Sequence, residues 1–332
     1  MIVSLLRKLF HRPYLPAIDS PNNIVESTYI EVNGTRQWVY LRGVSKDNPL
    51  LLFLHPGPGF VATGITNGYQ SVLEKHFTMV NWHMRGAGKS YSKSLGEMSI
   101  DTLVEDTLAL SEQLTQRFPK NDIYIMGHSF GSLIALKAVY KKPENFKHFI
   151  SVAQMTDVGE MEKRSYDFVL QSATKIGDSK SLKLLDKIGR TVDELTIEGI
   201  KKKQELIHEY GGNAPGFKSI LDIILTLIVS PVEHSFSDVI RSFKGFGFSG
   251  SQLFEEACKV NFFDEITKVE IPVLMVLGEN DQISNPNLLK SYFDLLEAPK
   301  KELIELKGDA HFPFLSQPET FQNSLLEALK VE

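Results

Sequence analysis

Six short runs of consecutive apolar residues, each followed by a stretch with helical spacing, constrain the fold of this 332-residue chain more than any other feature. Strands that helices cover on both faces lack the polar alternation of a half-exposed sheet, so such runs are typical of parallel strands. The runs lie at 50–54, 78–82, 123–126, 149–153, 273–277 and 303–306. The pattern therefore predicts an α/β fold with a mostly parallel sheet flanked by helices.

Two further β-type runs, 26–32 and 36–41, precede this alternation. The Asn33-Gly34 pair between them is a strong hairpin signal, so the sheet is predicted to begin antiparallel. The helical spacing predicts five core helices, with Asp101 as the N-cap of the second. Their predicted ranges are 62–75, 101–117, 130–141, 286–296 and 317–330.

The alternation of strands and helices stops near residue 155 and resumes near residue 271. The intervening stretch is rich in Lys, Glu and Leu at helical spacing, with glycine breaks, and it predicts a helical cap inserted after the sixth strand. Its most apolar part, 220–229, is too short to span a bilayer and is expected to form cap core or to line the substrate site. The predicted division is an N-terminal extension (1–25), a core domain (26–155 and 263–332) and a cap domain (156–262).

Charge and composition narrow the range of ligands. The net charge of −5 supplies no basic face for a phosphate backbone, so nucleic acid is not expected as a partner, and a small molecule or short peptide is. The single cysteine, Cys258, cannot form an internal disulfide, which is compatible with a cytoplasmic location. Residues 1–12 mix apolar and basic side chains and could lie on a membrane surface or pack on the domain.

The motif Gly127-His-Ser-Phe-Gly131 lies between an apolar run and a predicted helix. A G-x-S-x-G motif at such a turn is typical of a nucleophile elbow, in which the serine hydroxyl is exposed and the glycines let strand and helix approach closely. Serine is a weak nucleophile at neutral pH, so it needs a base that a carboxylate orients. The motif therefore predicts Ser129 as a nucleophile and requires an acid and a base elsewhere.

An acid and a base follow the last two apolar runs. Asp281 comes just after the run 273–277, where open α/β sheets place their sites, and His311 follows the next run. The chain order Ser, Asp, His is the order that such elbows use. We predict Asp281 as the acid and His311 as the base, with Asp157 as a competing carboxylate from the neighbouring loop.

A tetrahedral intermediate also needs amide donors for its oxyanion. The amide of Phe130, directly after the nucleophile, is one predicted donor. The loop after the run 50–54 reads His55-Pro-Gly-Pro-Gly59, and its prolines have no N–H to donate. Gly57 is therefore the favoured second donor, with Gly59 as the alternative.

Two other patterns are less favoured. The segment Arg85-Gly-Ala-Gly-Lys-Ser90 resembles the end of a phosphate-binding loop, but position 83, where that motif requires glycine, is histidine. A tight turn is the preferred interpretation. His55, His83 and His128 are joined by no carboxylate or cysteine at a known ligand spacing, so a metal site is not expected.

Taken together, these residues resemble the prolyl iminopeptidase-like branch of the α/β-hydrolases over about residues 26–330. That branch carries His-Gly-Gly-Pro-Gly, Asp-Gln-Arg-Gly-x-Gly-x-Ser and Gly-x-Ser-Trp-Gly-Ser. Here the motifs read His55-Pro-Gly-Pro-Gly59, His83-Met-Arg-Gly-Ala-Gly-Lys-Ser90 and Gly127-His-Ser-Phe-Gly-Ser132. The resemblance implies a helical cap over the site, no cofactor, and release of an N-terminal proline or other residue from a short peptide.

The chain departs from that branch at Pro56, at His83-Met84 and at Phe130. Its cap also lacks the tryptophan that accompanies the ammonium-binding glutamates of the family. The candidates for that role are Glu233, Glu160 and Glu205, with ordinary exposed helix charges as the alternative interpretation.

We therefore expect a serine hydrolase that cleaves a small amide or peptide through an acyl-enzyme, most similar to a proline iminopeptidase. A carboxylesterase or thioesterase is the alternative within the same chemistry. A non-catalytic binding protein on the same fold is the alternative outside it.

Overall fold

The computed structural model describes residues 17–66 and 68–331. Within these residues the strands are β1 (Ile24–Val32), β2 (Thr35–Gly43), β3 (Leu50–Leu54), β4 (Thr78–Trp82), β5 (Ile123–His128), β6 (His148–Val152), β7 (Val273–Gly278) and β8 (Lys301–Leu306). They form one sheet in the order β1-β2-β4-β3-β5-β6-β7-β8. The β1–β2 and β2–β4 pairs are antiparallel and the other pairs are parallel. The predicted fold class is confirmed.

Helices cover the sheet and fill the connection between β6 and β7. They are α1 (Ile100–Arg117), α2 (Phe130–Lys141), α3 (Val158–Ile176), α4 (Ser179–Ile188), α5 (Ile197–Glu209), α6 (Ile220–Ile224), α7 (Phe236–Ala257), α8 (Phe262–Glu265), α9 (Pro286–Leu295), α10 (Pro313–Ser316) and α11 (Pro318–Leu329). Shorter 3-10 turns occur at Thr63–Thr66, Leu73–Lys75, Gly88–Ser90, Pro143–Asn145 and Val192–Glu194, and a π-turn at Leu225–Val229.

Strand β3 explains why the predicted strands lack polar alternation. Leu50, Leu52 and Leu54 pack into the core on one face of the sheet, together with residues of α1 and α2. Leu51 and Phe53 pack into a second core on the opposite face, which includes residues of α11. Because both faces are buried, every position of the strand is apolar.

The cap segment, defined as residues 156–262, is helical and has a small core of its own around Val169, Leu185, Leu206 and Ile207. Its most apolar stretch turns toward the sheet, where Leu227 and Ile228 are buried in the second core. This stretch therefore packs against the sheet and is not part of the small cap core, and its predicted role in lining the substrate site stays a prediction. The boundaries of the predicted domains stay predictions.

Two local predictions are wrong. Within the range 62–75, residue 67 excepted, the structure has the 3-10 turns Thr63–Thr66 and Leu73–Lys75 instead of a helix. A Cβ at Gly64 would lie 2.1 Å from the carbonyl oxygen of Thr226, so tertiary packing of the cap segment dictates this backbone path. Ser99, not Asp101, is the N-cap of α1, because its side chain accepts a hydrogen bond from the Thr102 amide.

The described residues leave the predicted location of the protein untested. Between residues 17 and 331, residue 67 excepted, no helix combines the length and the apolar character needed to cross a bilayer. The basic, apolar stretch 1–12 lies outside the described residues. Its predicted membrane contact and the predicted cytoplasmic location stay predictions.

Candidate active site

Ser129 sits at the junction of β5 and α2 with a backbone φ of 53° and ψ of −122°. A positive φ at a non-glycine residue is strained by roughly 1–3 kcal/mol, and such strain clusters at functional sites. The neighbours hold the turn in place, because the Ser129 amide donates to the Val152 carbonyl at 3.0 Å and the Ser132 hydroxyl donates to the Ser129 carbonyl at 2.6 Å. Ser129 thus occupies the strained turn that a nucleophile elbow requires.

The two motif glycines are required by the close approach of strand and helix. A Cβ at Gly127 would lie 2.4 Å from the Gly131 carbonyl oxygen. A Cβ at Gly131 would lie 2.1 Å from the carbonyl oxygen of Leu54, at the end of the adjacent strand β3. Any larger residue at either position would force the elbow open, so the motif is dictated by packing as well as by chemistry.

Asp281 and His311 are paired in the structure. His311 Nδ1 lies 2.9 Å from Asp281 Oδ2, and both side chains are buried. Asp281 follows β7 and His311 follows β8, so the pairing of these adjacent parallel strands brings the two loops to the same edge of the sheet. An Nδ1–H donated to the carboxylate leaves Nε2 as the basic nitrogen.

Asp281 is held by several donors besides His311. Its Oδ1 accepts from the Ile283 amide at 2.8 Å and from the Ser284 amide at 3.0 Å, and the Ser284 hydroxyl donates to Oδ2. Burial by itself would raise the pKa of Asp281, but the charge of His311 and these hydrogen bonds outweigh it and hold that pKa below its ordinary value. Asp281 is therefore ionised at neutral pH.

The competing carboxylates have other roles in the structure. Asp157 is the N-cap of α3, since its side chain accepts from the Glu160 amide at 2.9 Å. Asp309 accepts from the Ala310 amide at 2.7 Å, and burial raises the pKa of Asp309. Of the three carboxylates Asp157, Asp281 and Asp309, the one that is hydrogen-bonded to the His311 side chain is Asp281.

His128 ties the elbow to the loop that carries His311. Its Nε2 lies 2.7 Å from the His311 carbonyl oxygen, and because a carbonyl only accepts, Nε2 carries the proton. The two imidazole centroids are 5.0 Å apart. Burial, and then the charge of His311, hold the pKa of His128 well below its ordinary value, so this ring is neutral.

Ser129 follows His128 directly in the chain, and no hydrogen bond joins Ser129 to His311 within the described residues. Over residues 17–66 and 68–331, His311 bonds Asp281 through Nδ1, Asn213 through its amide and His128 through its carbonyl, while Nε2 makes no hydrogen bond. Catalytic hydrogen bonds often tighten only when substrate binds.

The predicted oxyanion donors flank the elbow. Phe130 is the first residue of α2, where an amide has no intrahelical partner. The loop with Gly57 leaves β3, whose Leu54 is paired with Gly127 in β5, so it starts next to the elbow. Gly57 has a φ of 155°, and a Cβ there would lie 2.2 Å from the Gly59 amide nitrogen. The roles of Phe130 and Gly57 as donors stay predictions.

His55 and His83 are buried parts of the scaffold. The Met84 amide donates to His55 Nε2 at 3.3 Å, and the Lys89 amide donates to His83 Nδ1 at 3.0 Å, so each ring uses one nitrogen as an acceptor. Burial lowers the pKa of His55 to about 4 and holds that of His83 well below its ordinary value. No group of three or more His, Cys, Asp or Glu side chains among the described residues is arranged to hold a metal ion.

Comparison with known proteins shows what this chain is similar to. The family described as "Serine aminopeptidase, S33" matches residues 62–211. A probable aminopeptidase of Bacillus subtilis, YbaC, is 29% identical over 304 residues, which cover 89% of this chain and 93% of the relative. The proline iminopeptidase of Mycobacterium smegmatis has a similar structure, with a TM-score of 0.66 at 13% identity over 92% of this chain and 98% of that one. The chain has the α/β-hydrolase fold, and it is similar to aminopeptidases of the prolyl-aminopeptidase-like branch.

The same hydrolase fold serves other substrates elsewhere. The esterase RhEst1 of Rhodococcus sp. ECU1013 aligns with a TM-score of 0.58 at 17% identity, over 92% of this chain and 98% of that one. At such identity the likeness establishes the fold only. The substrate of this hydrolase has to be argued from its own residues.

The cap segment of this hydrolase contacts both loops of the acid–base pair, which the sequence did not predict. The His311 amide donates to the carbonyl oxygen of Asn213 at 2.6 Å, and the Gln282 amide donates to that of Gly212 at 2.9 Å. The Gly211-Gly212 break was the only sequence signal at this turn. Because the contacts are made by backbone carbonyls, no side-chain pattern could reveal them.

The three predicted ammonium-binding glutamates lie in different surroundings. Glu160 is on the surface of α3, where it accepts from Arg164 at 2.9 Å, and Glu205 is exposed on α5. The carboxylate oxygens of Glu233 are buried and accept no well-formed hydrogen bond within the described residues. Burial raises the pKa of Glu233, and Tyr40, Arg42 and Lys89 partly oppose that effect. Of the three glutamates, Glu233 is the best candidate to bind a substrate ammonium group.

Proposed function

We propose that this hydrolase cleaves its substrate through an acyl-enzyme formed on Ser129. Ser129 Oγ attacks the substrate carbonyl carbon while His311 Nε2 accepts the hydroxyl proton, and Asp281 stabilises the resulting imidazolium. The amides of Phe130 and Gly57 stabilise the oxyanion. The intermediate collapses as His311 gives its proton to the leaving group, and a water molecule then repeats both steps to release the acid. The observation that carries the proposal is the buried His311–Asp281 hydrogen bond of 2.9 Å beside the strained Ser129 turn.

The substrate that we propose is a short peptide or small amide with a free amine. The support for it comes from Glu233, whose carboxylate is buried without a well-formed hydrogen bond within the described residues. Burial of a carboxylate is costly, and Tyr40, Arg42 and Lys89 offset this cost only in part, so a cationic group on a ligand would stabilise it further. The similarity to a probable aminopeptidase and to a proline iminopeptidase agrees with this choice.

An ester or thioester substrate is the second candidate, and a specific contact favours it. Lys89 Nζ donates to the Glu233 carbonyl oxygen at 2.5 Å, so a cation already stands beside the residue that would bind the ammonium. Arg42 also opposes the effect of burial on the Glu233 pKa. If these cations neutralise the carboxylate, an acyl substrate without an amine would fit equally well.

The serine mechanism is tested with a fluorophosphonate probe, which labels activated serines covalently. We expect labelling of the wild-type protein and none of Ser129→Ala. Ser251→Ala, which removes an exposed hydroxyl elsewhere, is the matched control and is expected to label normally. A wild-type protein that does not label would favour the non-catalytic binding protein.

The substrate is tested by comparing proline and alanine anilides with short-chain nitrophenyl esters. Turnover of esters without turnover of anilides would contradict the peptidase proposal. With an anilide as substrate, Glu233→Gln is expected to raise KM roughly 10- to 100-fold, since a charged hydrogen bond is lost. The N-acetylated anilide, which has no ammonium, should be unaffected, and Glu205→Gln should affect neither substrate.

A further inference from the structure

A groove of about 950 Å³ runs along the surface between the β1–β2 hairpin, the loop after Arg85 and the first turns of α7. It is lined by six cationic side chains, and we call it the basic groove: Arg36, Arg85, Lys89, Lys93, Arg241 and Lys244. Neither Ser129 nor the Asp281–His311 pair lines it. Its volume is in the range of pockets that hold small-molecule ligands.

The positive charge of the basic groove is only partly neutralised. Aspartate or glutamate is absent from its lining residues. Arg85 is paired with the buried Asp106 at 2.7 Å, while Lys89 and Arg241 each lie 3.8 Å from Asp238. In the described part of the chain, the remaining three cations have no carboxylate within salt-bridge distance: Arg36, Lys93 and Lys244. A chain with a net charge of −5 therefore concentrates unpaired cations at one place.

Polar groups around these cations favour an oxyanion as the ligand. The guanidinium of Arg36 lies 4.7 Å from the centroid of the Tyr29 ring, and this cation–π contact restricts its position. Three hydroxyl-bearing residues, Tyr91, Ser92 and Ser94, also line the groove, and the Ser92 and Ser94 hydroxyls are hydrogen-bonded to each other at 2.8 Å. Several cations surrounded by hydroxyl donors match the charge and the many acceptor oxygens of a phosphate group.

The backbone of the Arg85–Ser90 turn does not take part in this recognition. The Lys89 amide donates to His83 Nδ1, the Ser90 amide to the Ala87 carbonyl and the Tyr91 amide to the Gly88 carbonyl. These three amides are already hydrogen-bonded within the protein and are not available to an anion, which agrees with the tight turn predicted from the sequence. Any anion in the groove would be held by side chains.

We propose that the basic groove binds a phosphate-bearing group, supplied by a soluble phosphorylated compound or by a phospholipid headgroup. Exposed apolar side chains adjoin the groove on α7, at Phe236, Ile240 and Phe243, and Ile240 also lines it. Their spacing places all three on one helix face, beside the face that carries Arg241 and Lys244. The proposal is independent of the function assigned to Ser129.

The test measures binding of the full chain to two probes that separate the sources. One probe is inorganic pyrophosphate, followed by calorimetry at low salt. The other is a vesicle of equal parts phosphatidylcholine and phosphatidylglycerol, followed by co-sedimentation and compared with phosphatidylcholine alone. Binding of pyrophosphate identifies a soluble ligand, and binding of the anionic vesicle without pyrophosphate binding identifies a headgroup.

A variant with Arg36→Gln, Lys93→Gln and Lys244→Gln tests the groove itself. We expect binding to weaken by about fivefold for each cation removed, hence about a hundredfold in all. The matched control, Lys46→Gln with Lys75→Gln and Lys120→Gln, loses the same charge at exposed sites elsewhere and should bind within about twofold of the wild type. Ester or anilide turnover should be unchanged in both variants, which shows that both are folded.

Three outcomes would overturn the proposal. The first is that neither probe binds the wild-type protein. The second is an equal loss of binding in the groove variant and the control, which would mean that only overall charge matters. The third is vesicle binding that survives in the groove variant, which would assign it to another part of the chain, such as residues 1–12.

Discussion

At the scale of single residues, the geometry of Asp281 determines which ring nitrogen of His311 carries the proton. Oδ2 accepts from both His311 Nδ1 and the Ser284 hydroxyl, and Oδ1 accepts two backbone amides. The carboxylate can neither rotate nor take up a proton without losing these bonds. His311 is therefore fixed as the tautomer with Nδ1–H, which is the form that can accept a proton from Ser129.

Replacing Asp281 by Asn tests this arrangement directly. The amide keeps the shape but can donate to Nδ1 and so favour the wrong tautomer, and kcat is expected to fall roughly 10³- to 10⁴-fold. Asp309→Asn is the matched control, because Asp309 is a buried carboxylate two residues from His311 that bonds Ala310 instead. Steady-state kinetics on the best substrate should place this control within about tenfold of the wild type. A similar loss in both variants would contradict the assigned partner.

At the scale of elements, α7 packs unusually close to two loops of the core. Ser249 donates to the Gly86 carbonyl at 3.2 Å, and a Cβ at Gly59, in the oxyanion loop, would lie 2.7 Å from Ser249 Cβ. A Cβ at Gly245 would lie 2.6 Å from the Gly86 carbonyl oxygen. Small residues on α7 thus let the cap segment touch the loop that is predicted to hold the oxyanion.

Gly245→Ala is expected to push α7 away from the Gly86 turn. Overpacking of this kind costs about 1–3 kcal/mol of unfolding free energy. Gly250→Ala on the same helix has open space around the new methyl group and should instead gain about 0.5–1 kcal/mol from helix propensity. Urea denaturation of both variants measures the difference. Equal stabilities would show that the helix and the turn are not in close contact.

At the scale of the whole molecule, the chain buries several neutral histidines. Burial lowers the pKa of His55 and of His148 to about 4, and it holds the pKa of His83 and His128 well below the ordinary value. An unfolded chain takes up protons on these residues near pH 6.5, while the folded chain does not. Protonation therefore favours the unfolded state as the pH falls.

The free energy of unfolding should decrease as the pH falls from 6.5 to about 4, where His55 also becomes protonated in the folded state. His55 alone contributes about 3 kcal/mol to this decrease. His55→Gln should remove that share of the slope, although the variant is less stable at neutral pH. Denaturation curves at three pH values in this range decide the matter.

The features that could be predicted from the sequence are those that depend on residues close together in the chain. Apolar runs with no polar alternation, such as Leu50–Leu54, identified strands buried on both faces. The glycines around Ser129 identified the elbow, because a Cβ at either position would collide with the backbone four or five residues away or in the next strand. These requirements depend on residue type and on short separations along the chain, so they can be predicted from one sequence.

Features that depend on residues far apart in the chain became visible in the folded structure. The range 62–75 has the composition of a helix, but packing of Gly64 against Thr226 gives it another path. Asp281, and not Asp157, meets His311 because β7 and β8 are neighbours in the sheet. The contact of Asn213 with His311 and the gathering of cations in the basic groove likewise arise when distant segments meet. No local sequence pattern predicts such contacts, because they form and stabilise the protein only when distant segments meet in the folded chain.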